Sequence, residues 1–343
     1  MNGNTAFIDR DGNIVRRFET YVGPFHDGLA RIGQPSGSAF ITIDGEIAFE
    51  SSVEISLGFS DGVAVGVLGD KRAAIDMQGN ILFETDLPLP IEFHEGLAAV
   101  YRTDWPGIPC GYIDRTGQVS IPFEFDEARP FQNGVAAVRV GDRWGIIDRT
   151  GDYLVEPTYM NGPSFAESDV APVNFDGKWG YIDLQGNIVI EPTFDKARSF
   201  SDGCAPFSLD GAWGFIDLGG RVLVPPMFDD LWPYVHGFCR YAKLGANGTL
   251  QYGYLDRNHN AVTEAMFHEA RDFREGLAEV ITLESGVPRS GFIDETGAVV
   301  VPLQYNRAWP FENGLALVST DEWTGYINID GDVVYKKRHD DEQ

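Results

Sequence analysis

The sequence predicts an all-β protein made of about ten tandem repeats, each a three-stranded antiparallel meander. A motif of small residue, aromatic residue, Ile-Asp, two further residues and Gly recurs along the chain, as in Gly180-Tyr181-Ile182-Asp183 followed by Gly186. It returns at steps of 33 to 39 residues, and self-similarity at such a period indicates units that bury their apolar faces against their neighbours. Each unit has three apolar runs of strand length, joined by links too short for a crossover helix.

The Ile or Leu of the motif marks each unit and defines one repeat array over residues 1–335, followed by a charged tail over residues 336–343. The marking residues are Ile8, Ile41, Ile75, Ile113, Ile147, Ile182, Ile216, Leu255, Ile293 and Ile327. All-β repeats either close into a propeller or continue as a solenoid. Both chain ends carry the hairpin of the second and third strands, so they do not complement each other within one closing unit. We therefore expect an open superhelical solenoid rather than a closed β-propeller.

We name the three strands of a unit A, B and C in chain order. The turn from B to C begins with Asp in eight units and has Gly three residues later in nine of the ten, with His259 as the exception. Asp accepts hydrogen bonds from turn amides and Gly adopts positive φ, so this pattern predicts a type I turn with a G1 bulge. A calcium loop at Asp9-x-Asp11-Gly12 is the alternative, but the EF-hand spacing with its terminal Glu is absent.

Two further columns of the repeat indicate packing. The residue before the aromatic of the motif is Gly or Ala in every unit, so a neighbouring backbone or an aromatic ring must crowd this point. A Phe or Tyr opens strand A in nine units, which is typical of an aromatic core. The linkers between strands C and A, such as residues 192–199, have a Phe-x-x-Ala-x-x-Phe spacing that fits a turn of α- or 3₁₀-helix.

The charge balance indicates which classes of molecule the protein can bind. Twenty-six basic residues against 52 acidic ones leave a formal charge of -26, which repels phosphate backbones and anionic lipid. We therefore expect another protein, basic in character, as the partner, and neither nucleic acid nor a membrane. The alternative is that the acidity only keeps an aromatic-rich surface soluble.

The sequence shows no catalytic or cofactor motif. The six His residues have no metal-ligand spacing, and neither a phosphate-binding loop, a dinucleotide fingerprint nor a Gly-x-Ser-x-Gly element is present. We thus expect no enzyme, no cofactor and no metal, although carboxylates could assemble into a carbohydrate-binding or glycosidase-like site. Three cysteines outside any shared column, and no secretory signal or long apolar run, predict a cytoplasmic protein.

The repeat resembles a known family. Trp144-Gly145-Ile146-Ile147-Asp148, Lys178-Trp179-Gly180-Tyr181-Ile182-Asp183 and Trp213-Gly214-Phe215-Ile216-Asp217 look like the WG (KWG) β-repeat of bacterial proteins. Other units replace the Trp, for example by Cys110, Tyr252 or Ser290. The resemblance implies a binding or scaffolding role, and some such repeats resemble immunity proteins of bacterial toxin systems.

Departures from the repeat suggest where a partner binds, because shared columns serve packing. The A–B hairpin is lengthened in three units, and these tips should project from one edge of the array. Trp105, on the first tip, has the character of an interface anchor, unless it folds back onto a neighbouring unit. The predicted partner-binding residues are Tyr101, Arg102, Asp104, Trp105, Ile108, Leu244, Gln251, Leu283, Glu284 and Arg289.

Overall fold

The structure is a computed structural model, and it describes residues 5–8, 13–18, 22–34, 37–55, 58–88, 90–102, 109–165, 168–246 and 248–342. Its described part is all β apart from one short 3₁₀-helix, His339–Glu342. Contacts divide the chain into two compact units. One is built mainly from Arg16–Asp176, and the other from Val189–Gln343 together with Gly177–Gly180.

Ten sheets follow one another along the described chain. The first five are β1 (Thr5–Ile8) and β2 (Ile14–Phe18); β3 (Val22–His26), β4 (Leu29–Gln34), β5 (Gly37–Ile41) and β6 (Ile47–Ser51); β7 (Glu54–Ile55), β8 (Val63–Leu68), β9 (Lys71–Asp76) and β10 (Ile81–Thr85); β11 (Leu97–Tyr101), β12 (Cys110–Asp114) and β13 (Val119–Phe125); β14 (Glu127–Ala128), β15 (Val135–Val140), β16 (Arg143–Asp148) and β17 (Tyr153–Tyr159).

The last five sheets have the same plan. They are β18 (Val170–Phe175), β19 (Lys178–Asp183) and β20 (Ile188–Phe194); β21 (Lys196–Ala197), β22 (Cys204–Leu209), β23 (Ala212–Asp217) and β24 (Val222–Phe228); β25 (Asp230–Leu231), β26 (Phe238–Leu244), β27 (Leu250–Asp256) and β28 (Ala261–Phe267); β29 (Glu269–Ala270), β30 (Leu277–Glu284), β31 (Val287–Asp294) and β32 (Val299–Tyr305); β33 (Arg307–Ala308), β34 (Leu315–Ser319), β35 (Trp323–Asn328) and β36 (Val333–Arg338).

The predicted antiparallel meander is confirmed, but a complete sheet has four strands rather than three. Strands A, B and C of one sheet are β15, β16 and β17, and the two-residue strand β14 pairs with the other side of β15. We call the segment represented by β14 the short strand. The expectation of a helical turn in the linkers is wrong, because the end of strand C and the short strand occupy these segments. Phe125, Ala128 and Phe131 can all be buried because a one-residue bend at Asp126 separates strand C from the short strand.

The expectation of an open solenoid is also wrong. Four-stranded antiparallel meanders that succeed one another and pack through their faces are the blades of a β-propeller. The solenoid was expected because the sequence pattern shows only three strands per repeat. In addition, the hairpins at the two chain ends do not complete one blade together. Seven sheets of the described chain already have all four strands of a blade, so a surplus hairpin does not decide the architecture.

The B–C turn is confirmed in its details. In the turn after β16, the amide of Gly151 donates to the carbonyl of Asp148 at 3.1 Å, and Gly151 has a φ of 92°. The Asp148 carboxylate accepts from the amides of Thr150 and Asp152 at 2.8 and 3.1 Å. The register of β16 and β17 shifts next to the turn, as a bulge requires. Asp148 therefore holds this turn, whereas Asp9, Asp11 and Gly12 of the calcium alternative lie outside the described residues.

The column of small residues is explained by the backbone of strand C. A Cβ on Gly214 would lie 2.3 Å from the carbonyl oxygen of Val224, and one on Gly291 would lie 2.5 Å from that of Val301. Strand C bulges toward strand B at this point, so the neighbouring backbone, rather than an aromatic ring, excludes a larger residue.

The aromatic column is core, as predicted. Phe131 precedes strand A of one sheet by four residues and contacts Tyr112 of the preceding sheet, with ring centroids 4.9 Å apart. Phe311 and Phe292 repeat this contact at 4.8 Å in the other compact unit. All four rings are buried, so each aromatic of the column links one sheet to the next.

Carboxylates also connect successive repeats. In several repeats the turn before strand A holds an acidic residue with positive φ, such as Asp61 or Glu275, and its side chain accepts a hydrogen bond from the equivalent turn of the next repeat. The amide of Gly96 donates to Asp61 at 2.6 Å, and that of Gly314 donates to Glu275 at 2.7 Å. Part of the negative charge therefore has a structural function.

The crowding at strand B leads to a stability prediction. Gly214→Ala forces a methyl group into the backbone of strand C, and we expect a loss of about 1–3 kcal/mol in the free energy of unfolding. Gly219→Ala is the matched control, because a Cβ there meets only a carboxylate oxygen, at 3.4 Å. Urea denaturation of both variants measures the difference, and equal midpoints would contradict the assignment.

The B–C turns predict a pH dependence. A hydroxyl hydrogen bond from the Thr two residues later, aided by turn amides, holds the pKa of Asp114, Asp148 and Asp294 below the ordinary value. A carboxyl group with a lowered pKa stabilises the fold at neutral pH, and this contribution is lost as the pH falls below about 4, where the unfolded carboxyl takes up its proton.

Replacing Thr116, Thr150 and Thr296 together by Val should lower the thermal midpoint at pH 7 and make its decline in acid shallower. The control is Thr158→Val, since the Thr158 hydroxyl donates to the backbone carbonyl of Glu156 and to no carboxylate. If the midpoints of the triple variant and the native protein run parallel from neutral to acid pH, the turn carboxyls do not carry the effect.

Candidate interaction edge

The antiparallel order places two kinds of turn at opposite edges of each sheet. Strand A starts where strand B ends, so the turn before A and the B–C turn share one edge. Ion pairs between them, such as Arg115 with Asp61 and Arg257 with Asp202, confirm this. The A–B hairpin tips and the short strands lie at the other edge. We call this other edge the tip edge.

The structure brings the described part of the predicted site to the tip edge. Tyr101 and Arg102 lie at the end of the first long hairpin, and the Arg102 guanidinium is 5.6 Å from the centre of the Phe123 ring. Burial raises the pKa of Tyr101, whose side chain is nevertheless partly exposed. Asp104, Trp105 and Ile108 lie outside the described residues, so their role stays a prediction.

The two other long hairpins carry exposed aliphatic side chains. Leu244 and its cross-strand partner Leu250 are 60% and 37% exposed, and Leu283 and Val287 on the next tip are 47% and 48% exposed. Gln251 pairs with Lys243 just above the first of these tips. Solvated leucines on projecting hairpins are the kind of side chain that a protein interface buries.

Glu284 and Arg289 differ in their surroundings. Glu284 pairs with Val287 at the very end of the hairpin and is exposed. The Arg289 guanidinium donates to the Asn306 side chain, whose amide in turn donates to Asp321 at 2.6 Å. Arg289 therefore holds its hairpin against the following sheet, a contact that sequence reasoning did not foresee.

A column of carboxylates positions the tips, and sequence reasoning missed it. The residue directly after strand C is Asp126, Asp195 or Asp229 in three repeats, and each accepts a hydrogen bond from a tip amide. The donors are Gly141 at 2.6 Å, Asp210 at 2.7 Å and Leu244 at 2.7 Å. In the sequence, the signal for this column is an Asp that recurs directly after the last Phe of strand C.

Guanidinium groups stack on indole rings along the tip edge. Arg129 lies 4.8 Å from the ring centre of Trp144, and Arg198 lies 4.4 Å from Trp213 and 5.2 Å from Trp232. Arg240 contacts the Trp232 ring from 5.0 Å. The sequence signal was an Arg directly after the Ala of the short strand, combined with the Trp before the small residue.

Two open grooves run between these groups. One of about 600 Å³ is lined by Trp179, Asp195, Ala197 and Trp213 among others, and one of about 510 Å³ by Trp232, Arg240, Tyr252 and Arg271 among others. Aromatic walls with a few polar groups are typical of binding grooves. Arg198 and Arg240 also form ion pairs, with Asp230 at 2.9 Å and with Asp272 at 2.7 Å.

The three cysteine thiols are buried. Burial raises the pKa of the Cys110 thiol to about 11, that of Cys204 to about 12 and that of Cys239 well above its ordinary value. The described residues hold no group of three or more His, Cys, Asp or Glu side chains arranged around a metal-sized site. Nor does this part of the chain contain a helix with the length and apolarity to cross a bilayer.

Glu279 is a buried acid close to the second groove. It is 6% exposed, and burial raises its pKa despite a hydrogen bond from Ser290 and the nearby Arg271 guanidinium. Glu279 stands where other repeats have Ala137, Pro206 or Leu317, and Ser290 stands where the first two of these repeats have a Trp. Two departures in one unit were a signal that the sequence offered.

Glu279→Gln should therefore stabilise the protein at pH 7. Because the folded pKa is raised, the penalty of the ionised carboxylate appears as the pH rises above the unfolded value of about 4.3. Urea denaturation should show a higher midpoint for the variant at pH 7 and a converging midpoint near pH 4. The exposed Glu264→Gln is the control, and an equal response of both variants would contradict the account.

Comparison with known proteins identifies the repeat. A family model described as "WG containing repeat" matches residues 111–144, 144–179, 179–211, 213–245, 252–281 and 291–322. The sequence matches no curated protein.

Solved structures match this chain at low sequence identity, and the first of those that follow supports the fold. A crystal structure of a eukaryotic initiation factor has a TM-score of 0.58 and 10% identity, over 88% of this chain and 93% of that one. Dipeptidyl peptidase 4 of Porphyromonas gingivalis scores 0.47 at 9% identity, over 93% of this chain and 59% of that one. Hsv2p of Kluyveromyces lactis scores 0.38 at 8% identity, over 80% of this chain and 97% of that one. The latter two scores are too low to support an inference about this chain.

Matches over more than half of the sequence, together with the small-residue column and the B–C turns, show the family. The chain belongs to the WG-containing repeat proteins, a β-repeat family whose propeller-like blades suggest a protein-interaction or scaffold role.

Proposed function

We propose that this protein is a non-catalytic scaffold that binds another protein, basic in character, through its tip edge. The observation that carries the proposal is the set of exposed aliphatic side chains on two long hairpins, Leu244, Leu250, Leu283 and Val287, in a chain with a formal charge of -26. Projecting apolar groups supply contact area, while the acidic field attracts a cationic partner and raises the association rate.

The sharper form of the proposal is an immunity protein that neutralises a basic bacterial toxin in the cytoplasm. Charge supports this form because a cationic toxin domain would be captured quickly by an acidic scaffold. The family resemblance supports it as well, since some WG-type repeats resemble immunity proteins. Three buried, unpaired cysteines fit a reducing compartment.

The acidity that supports the proposal is not all available to a partner. Asp61, Glu275 and Asp195 accept backbone hydrogen bonds within the fold. The proposal therefore rests on the long-range field of the net charge, which salt screens over about 8–10 Å at moderate ionic strength, and on direct contacts at the hairpin tips.

The first test uses the protein encoded next to this chain as the candidate partner. Purified chains are mixed in a surface or calorimetric binding experiment at rising NaCl concentration. We expect the association rate to fall steeply with salt while the dissociation rate changes little. Salt-indifferent binding would remove the electrostatic part of the proposal.

The second test asks whether the tip edge is the binding face. Leu244→Ser and Leu283→Ser should each weaken binding about tenfold or more, since each removes a leucine that the interface buries. Leu218→Ser is the matched control, because Leu218 is 46% exposed in a B–C turn at the opposite edge. Thermal midpoints should stay unchanged in all three variants, and a larger loss of affinity for Leu218→Ser would refute the placement.

A further inference from the structure

The stacked guanidinium groups follow one rule across three repeats. Each lies on an indole ring and also donates a hydrogen bond to a backbone carbonyl of the following sheet. Arg129 stacks on Trp144 and donates to Gly162 at 2.8 Å. Arg240 stacks on Trp232 and donates to Ala270 at 3.0 Å.

Arg198 follows the same rule with an added ion pair. It stacks on Trp213, donates to the carbonyl of Leu231, and pairs with Asp230 at 2.9 Å. The accepting residues Leu231 and Ala270 are both the second residue of a short strand. The protein thus shows in its own contacts how this edge holds a guanidinium: an indole face, a short-strand carbonyl and a carboxylate.

The repeat that contains Trp179 has the indole but supplies no Arg. The position that holds Arg129 and Arg198 in neighbouring repeats holds Pro163 here. Among the described residues, no Lys or Arg side chain stacks on Trp179, which is half-buried. Trp179 lines the 600 Å³ groove together with Ala197, the second residue of its short strand, and Asp195.

We propose that the groove beside Trp179 receives an arginine side chain of the partner protein. The guanidinium would stack on the indole, donate to the Ala197 carbonyl and share the Asp195 carboxylate with Lys178, which pairs with it at 2.7 Å. The inference rests on the proposed function and deepens it, because it names the side chain of the basic partner that the tip edge recognises.

Lys196 places a positive charge beside the groove, so we expect the groove to bind an arginine only weakly. Removing this charge should strengthen binding. Lys196 stands at the first position of its short strand, where the next repeat has Asp230, the partner of Arg198. Lys196→Asp would give the groove a carboxylate equivalent to Asp230, which pairs with Arg198. We therefore expect this exposed substitution to tighten arginine binding several-fold.

The direct test uses the peptide acetyl-Gly-Arg-Gly-amide and the seven indole N–H signals of the ¹⁵N-labelled protein. The Trp179 signal, assigned with Trp179→Phe, should shift saturably with a dissociation constant on the order of 1–10 mM, as expected for a single stacked, hydrogen-bonded side chain. The citrulline peptide has nearly the same shape without charge and should bind several-fold more weakly. No response of Trp179, or an equal response to citrulline, would overturn the proposal.

A gain-of-function variant tests the rule itself. Arg198→Ala should create a second binding site for a guanidinium group. The indole N–H signals of Trp213 and Trp232 should then begin to respond to the arginine peptide. Arg257→Ala is the matched control, because it removes a guanidinium–carboxylate pair at the opposite edge that has no indole. Failure of Arg198→Ala to gain a response, while its fold is intact by circular dichroism, would refute the rule.

The outcomes separate this inference from the proposed function. If the arginine peptide does not bind and the neighbouring-gene protein still associates with steep salt dependence, only the Trp179 site is refuted. If the peptide binds at Trp179 and no basic protein associates, the site stands and the scaffold proposal fails.

Discussion

The close approach of strand C to the small residue of strand B is the constraint on which the rest of the structure depends. With no Cβ at Gly214, the Val224 carbonyl and the two prolines after it occupy space that any side chain would need. Strand C can then bulge across strand B and continue, after one residue, into the short strand of the next sheet, as β13 does into β14. One small residue per repeat, Gly or Ala, thus decides how consecutive blades are connected.

The same connection builds the tip edge. Because strand C ends beside the A–B hairpin of the following sheet, the residue after it can hold the hairpin tip, as Asp195 holds the amide of Asp210. The residue after the short strand then reaches the Trp of its own sheet, as Arg198 reaches Trp213. The grooves are therefore surrounded by residues at positions that serve packing in the repeats. The groove beside Trp179 differs from its neighbours because Pro163 replaces an Arg and Lys196 replaces an Asp.

Many of the acidic side chains have a structural function. Carboxylates such as Asp148 in the B–C turns and Asp61 in the turns before strand A accept backbone hydrogen bonds. These groups would be acidic whatever the protein binds. The net charge still produces a field that favours cationic partners, and under the proposed function the same carboxylates would also attract a basic protein.

The sequence by itself determined the all-β class, the repeat period, the B–C turns and the aromatic core. Each of these depends on contacts within one repeat or on a column that every repeat shares, so a period and a residue type suffice to predict them. Tertiary structure decided the short strand, the propeller blades and the groups at the tip edge. The short strand has two residues and little pattern of its own, and it becomes a strand only because strand A of the next sheet lies beside it. Likewise, Arg198 and Asp230 are distant in sequence and meet only when successive sheets pack. Pairings of this kind depend on how sheets are placed against one another, which no local pattern of residues encodes.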